Sequence, residues 1–194
     1  MTPKAGLNTS AVVQAAAELL NSGGVEALTL HRLAARLGVQ PPSLYNHVAG
    51  LPGLYRELAL LNASMLADRL AQVAIGKSGS QALVALAEAY RTYIKENPGV
   101  YLATLSASRV QNPGDTELQE AENRVLAIVL AVLASLGLEG EDAVHAARGL
   151  RSLVHGFAAL ELAGGFGLPL DCDESFRRFL EIFVNGLGAN RVGR

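Results

Sequence analysis

The sequence predicts an all-α protein with an N-terminal three-helix head and a C-terminal helical bundle. Three observations carry that expectation. Apolar residues recur three and four apart along most of the 194 residues, the period of a helix with one buried face. Alanine and leucine dominate the composition, which favours helix over strand. Glycine, proline and asparagine stand where the periodic runs stop, at Gly23-Gly24, Gly38, Gly50 and Asn97-Pro98. Half the residues are apolar and 18% are charged, so a substantial core can form and disorder is excluded. A mean hydropathy of +0.26 is high for a monomer and sends the surplus apolar surface to a subunit interface or an internal pocket.

The first helix is expected over residues 8–21, with Val12, Ala16, Leu19 and Leu20 as its buried stripe. The next begins after Thr29, whose hydroxyl can accept an orphaned backbone N–H of the first turn. Its apolar face is Leu30, Leu33, Ala34 and Leu37, and Gly38 supplies the left-handed residue that ends it. A third, short helix follows, with Pro41 flanking it and Pro42 as its first residue. Leu44 and Val48 face inward with Val39, leaving Ser43, Tyr45, Asn46 and His47 turned wholly or partly outward. A short polar-tipped helix braced by an apolar one across a glycine turn is the helix-turn-helix pattern. An ordinary αα-corner uses the same small turn residue. What favours DNA is physical fit, because a helix enters the major groove and its N-terminal residues reach base edges.

Residues 28–48, LTLHRLAARLGVQPPSLYNHV, resemble the DNA-binding region of the TetR family of transcriptional repressors. The specific part is G-V-x-x-x-x-L-Y-x-H-[FV], met by Gly38, Val39, Leu44, Tyr45, His47 and Val48. The family usually places a phosphate-contacting lysine three or four residues after the Val48 position, where this chain has Leu51 and Pro52. The resemblance implies that this region binds double-stranded DNA. Gln40, Ser43, Asn46 and His47 are the candidates for base edges, with Pro41 or Pro42 against a thymine methyl. Tyr45 is the candidate for a phosphate-positioning hydroxyl, and Thr29 and His31 for backbone contacts. Lys4 is a further candidate for phosphate, or a solvated residue.

Gly50 breaks the pattern and Pro52 restarts it as a long helix through Leu54, Leu58, Leu61, Met65 and Leu70. In the resembling family this helix is the lever between head and body, with Tyr55 at its start. After a break at GKSGS, residues 76–80, Leu83, Leu86, Ala87, Tyr90 and Ile94 line one helix face. A short helix around 100–106 precedes the polar loop SRVQNPGD, and a long apolar helix covers 115–136. Glu117, Glu120 and Glu122 lie near its positive end.

The last two helices are expected over 141–163 and 173–188, the second capped by Asp173. Their stripes are Leu150, Leu153, Val154, Phe157 and Ala158, and then Phe176, Phe179, Leu180, Phe183 and Leu187. They can form a four-helix dimer interface with a second copy, or pack inside one chain. LRSLVHGFAALELAGG also resembles the C-terminal helix of a TetR subgroup with a W-x-x-x-H-G arrangement; His155 and Gly156 match, and Arg151 replaces the tryptophan. The division is then residues 1–51 for DNA binding and 52–194 for ligand binding and dimerisation.

Arg151 and His155 share a helix face that can hold a ligand carboxylate or hydroxyl, or form a satisfied polar face. Phe157 and Glu161 complete the ligand-binding candidates, Glu161 serving equally as a buried acid at a dimer seam. No catalytic constellation, phosphate loop or metal-ligand spacing is present, so no enzyme, cofactor or metal is expected. The longest apolar run, Leu126–Leu138, is too short to span a bilayer, and the N-terminus lacks the apolar core of a signal peptide. The lone Cys172 offers no internal disulfide. Together these predict a cytoplasmic homodimer, most simply a repressor released from a palindromic operator by a small apolar molecule. The alternative is a helical small-molecule-binding protein without specific DNA binding. The first 70 residues hold Lys4, Arg32, Arg36, Arg56 and Arg69 against Glu18, Glu26, Glu57 and Asp68, a thin basic footprint for a DNA binder.

Overall fold

A computed structural model describes residues 7–105 and 114–189. The described residues form helices and turns, with no strand among them. The α-helices are α1 (Thr9–Gly23), α2 (Leu30–Leu37), α3 (Gly50–Ala74), α4 (Gly79–Glu96), α5 (Pro98–Thr104), α6 (Thr116–Ser135), α7 (Gly140–Leu162) and α8 (Cys172–Ala189). Two 3-10 helices, Val25–Ala27 and Pro41–Asn46, complete the order. Lys4 and most of the SRVQNPGD loop lie outside the described residues.

Packing gathers the described chain into two compact units. One holds residues up to 65 together with 96–121, and the other holds 66–95 together with the chain from 122 onward. These are divisions by packing, whereas the expected boundary between 51 and 52 divides the chain by role.

In the first unit, Asn8 caps α1 by accepting the N–H of Ala11 at 2.8 Å, and Val12, Ala16 and Leu20 are fully buried. Thr29 caps α2 by accepting the N–H of Arg32 at 3.2 Å, as its position predicts. Gly38 ends α2 at φ 68°, ψ 33°, a left-handed conformation that costs any residue with a Cβ. Leu33, Leu44, Leu54 and Leu58 meet α1 in one core, which also takes Val100 and Ala103 of α5. That last contact was not visible in the sequence. At Gly99 an added Cβ would lie 1.9 Å from the carbonyl oxygen of Leu20, so α5 rests directly on the backbone of α1. The side chain of Asn21 completes the junction, accepting the Val100 N–H at 3.0 Å and donating to Asn97 at 3.3 Å.

The expected short helix at 42–48 is instead a 3-10 helix beginning at Pro41. Its ladder closes over three residues, Ser43 N–H to Gln40 and His47 N–H to Leu44, both at 2.9 Å, and the Val48 N–H returns to Leu44 over four at 3.0 Å. Likewise α3 begins at Gly50, earlier than Pro52, because a proline in the first turn leaves no intrahelical bond unmade.

In the second unit the α7 stripe of Leu150, Leu153, Val154, Phe157 and Ala158 is buried within the chain. The α8 stripe divides: Phe176 and Leu180 are buried, while Phe179 is 43% and its neighbour Ile182 69% exposed. Asp173 is not the α8 cap. Asp171 accepts the N–H groups of Asp173 and Glu174, at 2.7 and 3.4 Å, while Asp173 reaches across to Arg91 at 2.8 Å. Arg91 is buried, stacks over the rings of Phe157 and Phe176 at 5.3 and 4.9 Å, and is held by both oxygens of Glu161 at 2.8 and 2.7 Å. Lys95 adds a third contact to Glu161 at 2.6 Å.

Candidate nucleic-acid interface

The recognition segment is fixed from beneath and open above. Leu44 is fully buried and Val48 nearly so, anchoring the 3-10 helix to the head core. The Thr9 hydroxyl donates to the His47 carbonyl at 3.2 Å, tying the end of the segment to α1. On the other side Tyr45 is 62% exposed, and Gln40, Pro42 and Asn46 are exposed beside it. Pro41, Ser43 and His47 are half-buried. Thr29 and His31 lie exposed at the start of α2, the Thr29 oxygen already serving as the cap acceptor.

The segment therefore presents Gln40, Tyr45 and Asn46 most fully, with Ser43, His47 and Pro41 turned partly inward. The left-handed Gly38 reverses the chain so that this short segment and the N-terminus of α2 both belong to the surface of one small core. Sequence spacing was enough to find these residues, because every contact that orients them is local or runs to α1.

Sequence reading missed the state of the head's arginines. Arg36 is ion-paired with Glu18. Arg56 donates to both oxygens of Asp115, the Nη2 contact at 2.9 Å, and to Glu117 at 2.7 Å and Glu57 at 2.8 Å. Hydrogen bonds from Arg56 hold the Asp115 carboxyl below its ordinary range, and the same bonds push the Arg56 guanidinium further up. Burial, followed by the charge of Glu26, raises the Tyr55 hydroxyl above its usual value.

Comparison with known proteins places this geometry. Residues 12–49 match the family model "Bacterial regulatory proteins, tetR family", and residues 83–183 match "Tetracyclin repressor-like, C-terminal domain". The HTH-type transcriptional regulator YobS of Bacillus subtilis (strain 168) is 36% identical over 191 residues, covering 98% of this chain and 97% of its own. The chain belongs to the TetR family. It is a DNA-binding transcriptional regulator, and the recognition segment is the helix-turn-helix that its sequence predicts. Among solved structures, a protein from Rhodococcus sp. RHA1 shares the fold at a TM-score of 0.81 and 20% identity, covering 96% of this chain and 98% of that one. A TetR variant from Acinetobacter baumannii AYE in complex with minocycline matches at a TM-score of 0.70 and 26% identity, covering 96% and 99%.

The body of this TetR-family chain does not bring its four ligand-binding candidates together. At about 100° per residue, Arg151 and His155 share one face of α7, and Phe157 and Glu161 share another about 120° round the helix. Arg151 is exposed and His155 half-buried, whereas Phe157 and Glu161 form the wall around Arg91. Burial opposes the charged form of Glu161, but the hydrogen bonds from Arg91 and Lys95 outweigh it and hold its carboxyl below the ordinary range. A separate open cleft of about 370 Å³ is lined by Ala71 and Ala74 of α3, by Ile75 and Lys77 just after it, and by Ile128, Ala131, Val132 and Ser135 of α6. None of the four candidates lines it. Among the described residues no three His, Cys, Asp or Glu side chains gather as a metal site, and no single helix is long and apolar enough to cross a membrane.

Proposed function

We propose that the chain works as a cytoplasmic homodimeric repressor that leaves a palindromic operator when a small apolar molecule binds its body. The observation that carries the reading is the recognition segment: exposed Gln40, Tyr45 and Asn46 above a fully buried Leu44. Tyr45 positions phosphate, Gln40, Ser43, Asn46 and His47 read base edges, Pro41 meets a thymine methyl, and Thr29 and His31 touch the backbone. Residues 1–51 are the part that reads DNA, and 52–194 the part that binds effector and partner. Exposed Phe179 and Ile182 on α8 and Leu160 on α7 support a twofold seam through the last two helices. Two heads would then meet half-sites about 34 Å apart. The minocycline complex of the Acinetobacter relative supports a small-molecule effector, whose candidate contacts form two separate groups on α7, Arg151 with His155 or Phe157 with Glu161. An effector acts only by its differential affinity for the two states of the dimer.

The test is fluorescence anisotropy on DNA from the chain's own upstream region, across salt concentrations and against a scrambled control. Saturable binding well above the control supports the reading. Equal, steeply salt-dependent binding to both DNAs leaves only phosphate contacts. The pairing of Arg36 with Glu18 at the surface and of Arg56 with Asp115 favours a second reading, a small-molecule-binding protein without operator recognition. Tyr45→Phe with Asn46→Ala separates the two, since the pair abolishes operator binding under the first and changes no activity under the second.

A further inference from the structure

The open cleft beside the last turns of α3 and α6 lies wholly within the second unit, and its walls follow from residue spacing. Ala71 and Ala74 lie one turn apart on α3, and Ile128, Ala131, Val132 and Ser135 share one face of α6. Each helix thus turns a row of side chains toward the other. The methyls of Ala71, Ala74 and Ala131 are too short to interdigitate, and they leave a trough of about 370 Å³ where larger rows would close the gap. From Ile128 to Ser135 it runs about 10 Å. Ile75, in the turn after α3, stands in its wall with 77% of its surface exposed. An apolar molecule laid in the trough takes that side chain and the alanine floor out of water together.

Two polar side chains line the trough, and they differ in what they can still offer. The Ser135 hydroxyl donates to the Val132 carbonyl at 2.6 Å and accepts the Gly79 N–H at 2.8 Å, so its proton is already used. Lys77 keeps its charge available. Gly76 turns the chain left-handed at φ 71°, the Lys77 N–H returns to Ala74 at 3.0 Å, and the ammonium donates to the Val73 carbonyl at 2.8 Å. These bonds hold the cation over the last turn of α3 and leave two of its three donors for another acceptor. Among the described residues no carboxylate pairs with Lys77, and no acid lines the trough.

We propose that this trough is a binding site for a small amphipathic acid, whose apolar body lies along α6 and whose single carboxylate meets the Lys77 ammonium. The lining selects that chemistry. An aliphatic floor without a free donor disfavours a polyhydroxylated body, and one unpaired cation favours an anionic head over a neutral or positive one. A mostly apolar cleft of this volume with one directing polar group suits a small ligand. The inference rests on the effector reading above and gives it a class of ligand and a site apart from the α7 candidates. Its test uses no DNA, so a failure of this site and a failure of operator release are read separately.

Decanoate and decanol are the probes, one chain with and without the charge. Each is titrated calorimetrically into the full chain below the concentration at which it aggregates. The expected result is saturable binding of one decanoate, about 3- to 5-fold tighter than decanol and weakened by added salt. Lys77→Gln brings decanoate down to the decanol level. Ala131→Phe and Ala74→Leu fill the trough from its two walls and weaken both probes about 10-fold or more, with circular dichroism checking the helicity of each variant. Equal affinity of the wild-type chain for the two probes, or decanoate binding untouched by Lys77→Gln, removes the head-group contact and overturns the proposal. Binding that survives both filling variants lies elsewhere, and binding lost in Arg151→Gln belongs to α7; either result overturns it. Non-saturating uptake of many chains is adventitious adsorption and overturns it as well.

Discussion

Replacing Gly99 by alanine is expected to destabilise the first unit more than any other single methyl would. The new Cβ would stand 1.9 Å from the Leu20 oxygen and 2.2 Å from its carbonyl carbon. Both atoms are helix backbone, so no side chain can turn away. Reaching a tolerable 3.0 Å demands that α5 and α1 separate by at least about 1.1 Å. Overpacking of this kind costs about 1–3 kcal/mol. Separation also stretches the Val100 N–H to Asn21 bond beyond use, adding about 1 kcal/mol. A total of about 2–4 kcal/mol lowers the melting temperature of a chain this size by roughly 5–15 °C. Far-UV circular dichroism melts provide the assay. Asn21→Ala alone should cost only about 1 kcal/mol, and adding it to Gly99→Ala should cost almost nothing more, since the clash has already broken its bond. A Gly99→Ala melt within about 1 °C of wild type would refute the close approach of α5 and α1.

Leu44→Ala removes a fully buried side chain from under the recognition segment and is expected to cost about 2–5 kcal/mol, read as loss of operator binding together with a lowered melt. Glu161 has a folded pKa below its ordinary 4.5, so its contribution is complete above that value and is lost as pH falls through the lower folded value. Glu161→Gln should therefore lower stability at pH 7 by about 1–3 kcal/mol and flatten the acid limb of a pH-dependent melt; an unchanged acid limb would show that the contacts to Arg91 and Lys95 are not maintained in solution. Ile182→Glu places a charge on the exposed face of α8 and is expected to convert dimer to monomer in sedimentation velocity while leaving helicity intact. A persistent dimer would move the seam elsewhere.

How much of this was legible in the sequence follows from how far each deciding contact reaches. Thr29, Gly38, Leu44 and Val48 were readable because caps, left-handed turns and i, i+4 faces are settled within a few residues. The 3-10 form of the recognition segment was not, since one short apolar pair fits either helix type. Asp173 was expected as the α8 cap, but Asp171 caps the helix and Asp173 pairs with Arg91, some eighty residues away in sequence. Phe179 sits at the edge of its stripe, where periodicity alone assigns no side. Gly99 fell between the Asn97-Pro98 stop and the short helix expected around 100–106, and nothing near it in the chain announces Leu20. The ligand-binding candidates were chosen by face and chemistry, and α7 has more than one face.

The thin basic charge of the head takes on a different meaning once the arginines are located. Counted as sequence, Arg36 and Arg56 are two cations available to phosphate. In the structure each is already matched by carboxylate, Arg36 by Glu18 and Arg56 by Asp115, Glu117 and Glu57. Non-specific affinity depends on how many phosphates a protein neutralises, whereas discrimination depends on base-edge contacts. Engaging cations inside the protein lowers the affinity for every sequence, and leaves the difference between right and wrong sequences to Gln40, Ser43, Asn46 and His47. A regulator that must find one operator among many competing sites gains from that ratio more than from raw affinity.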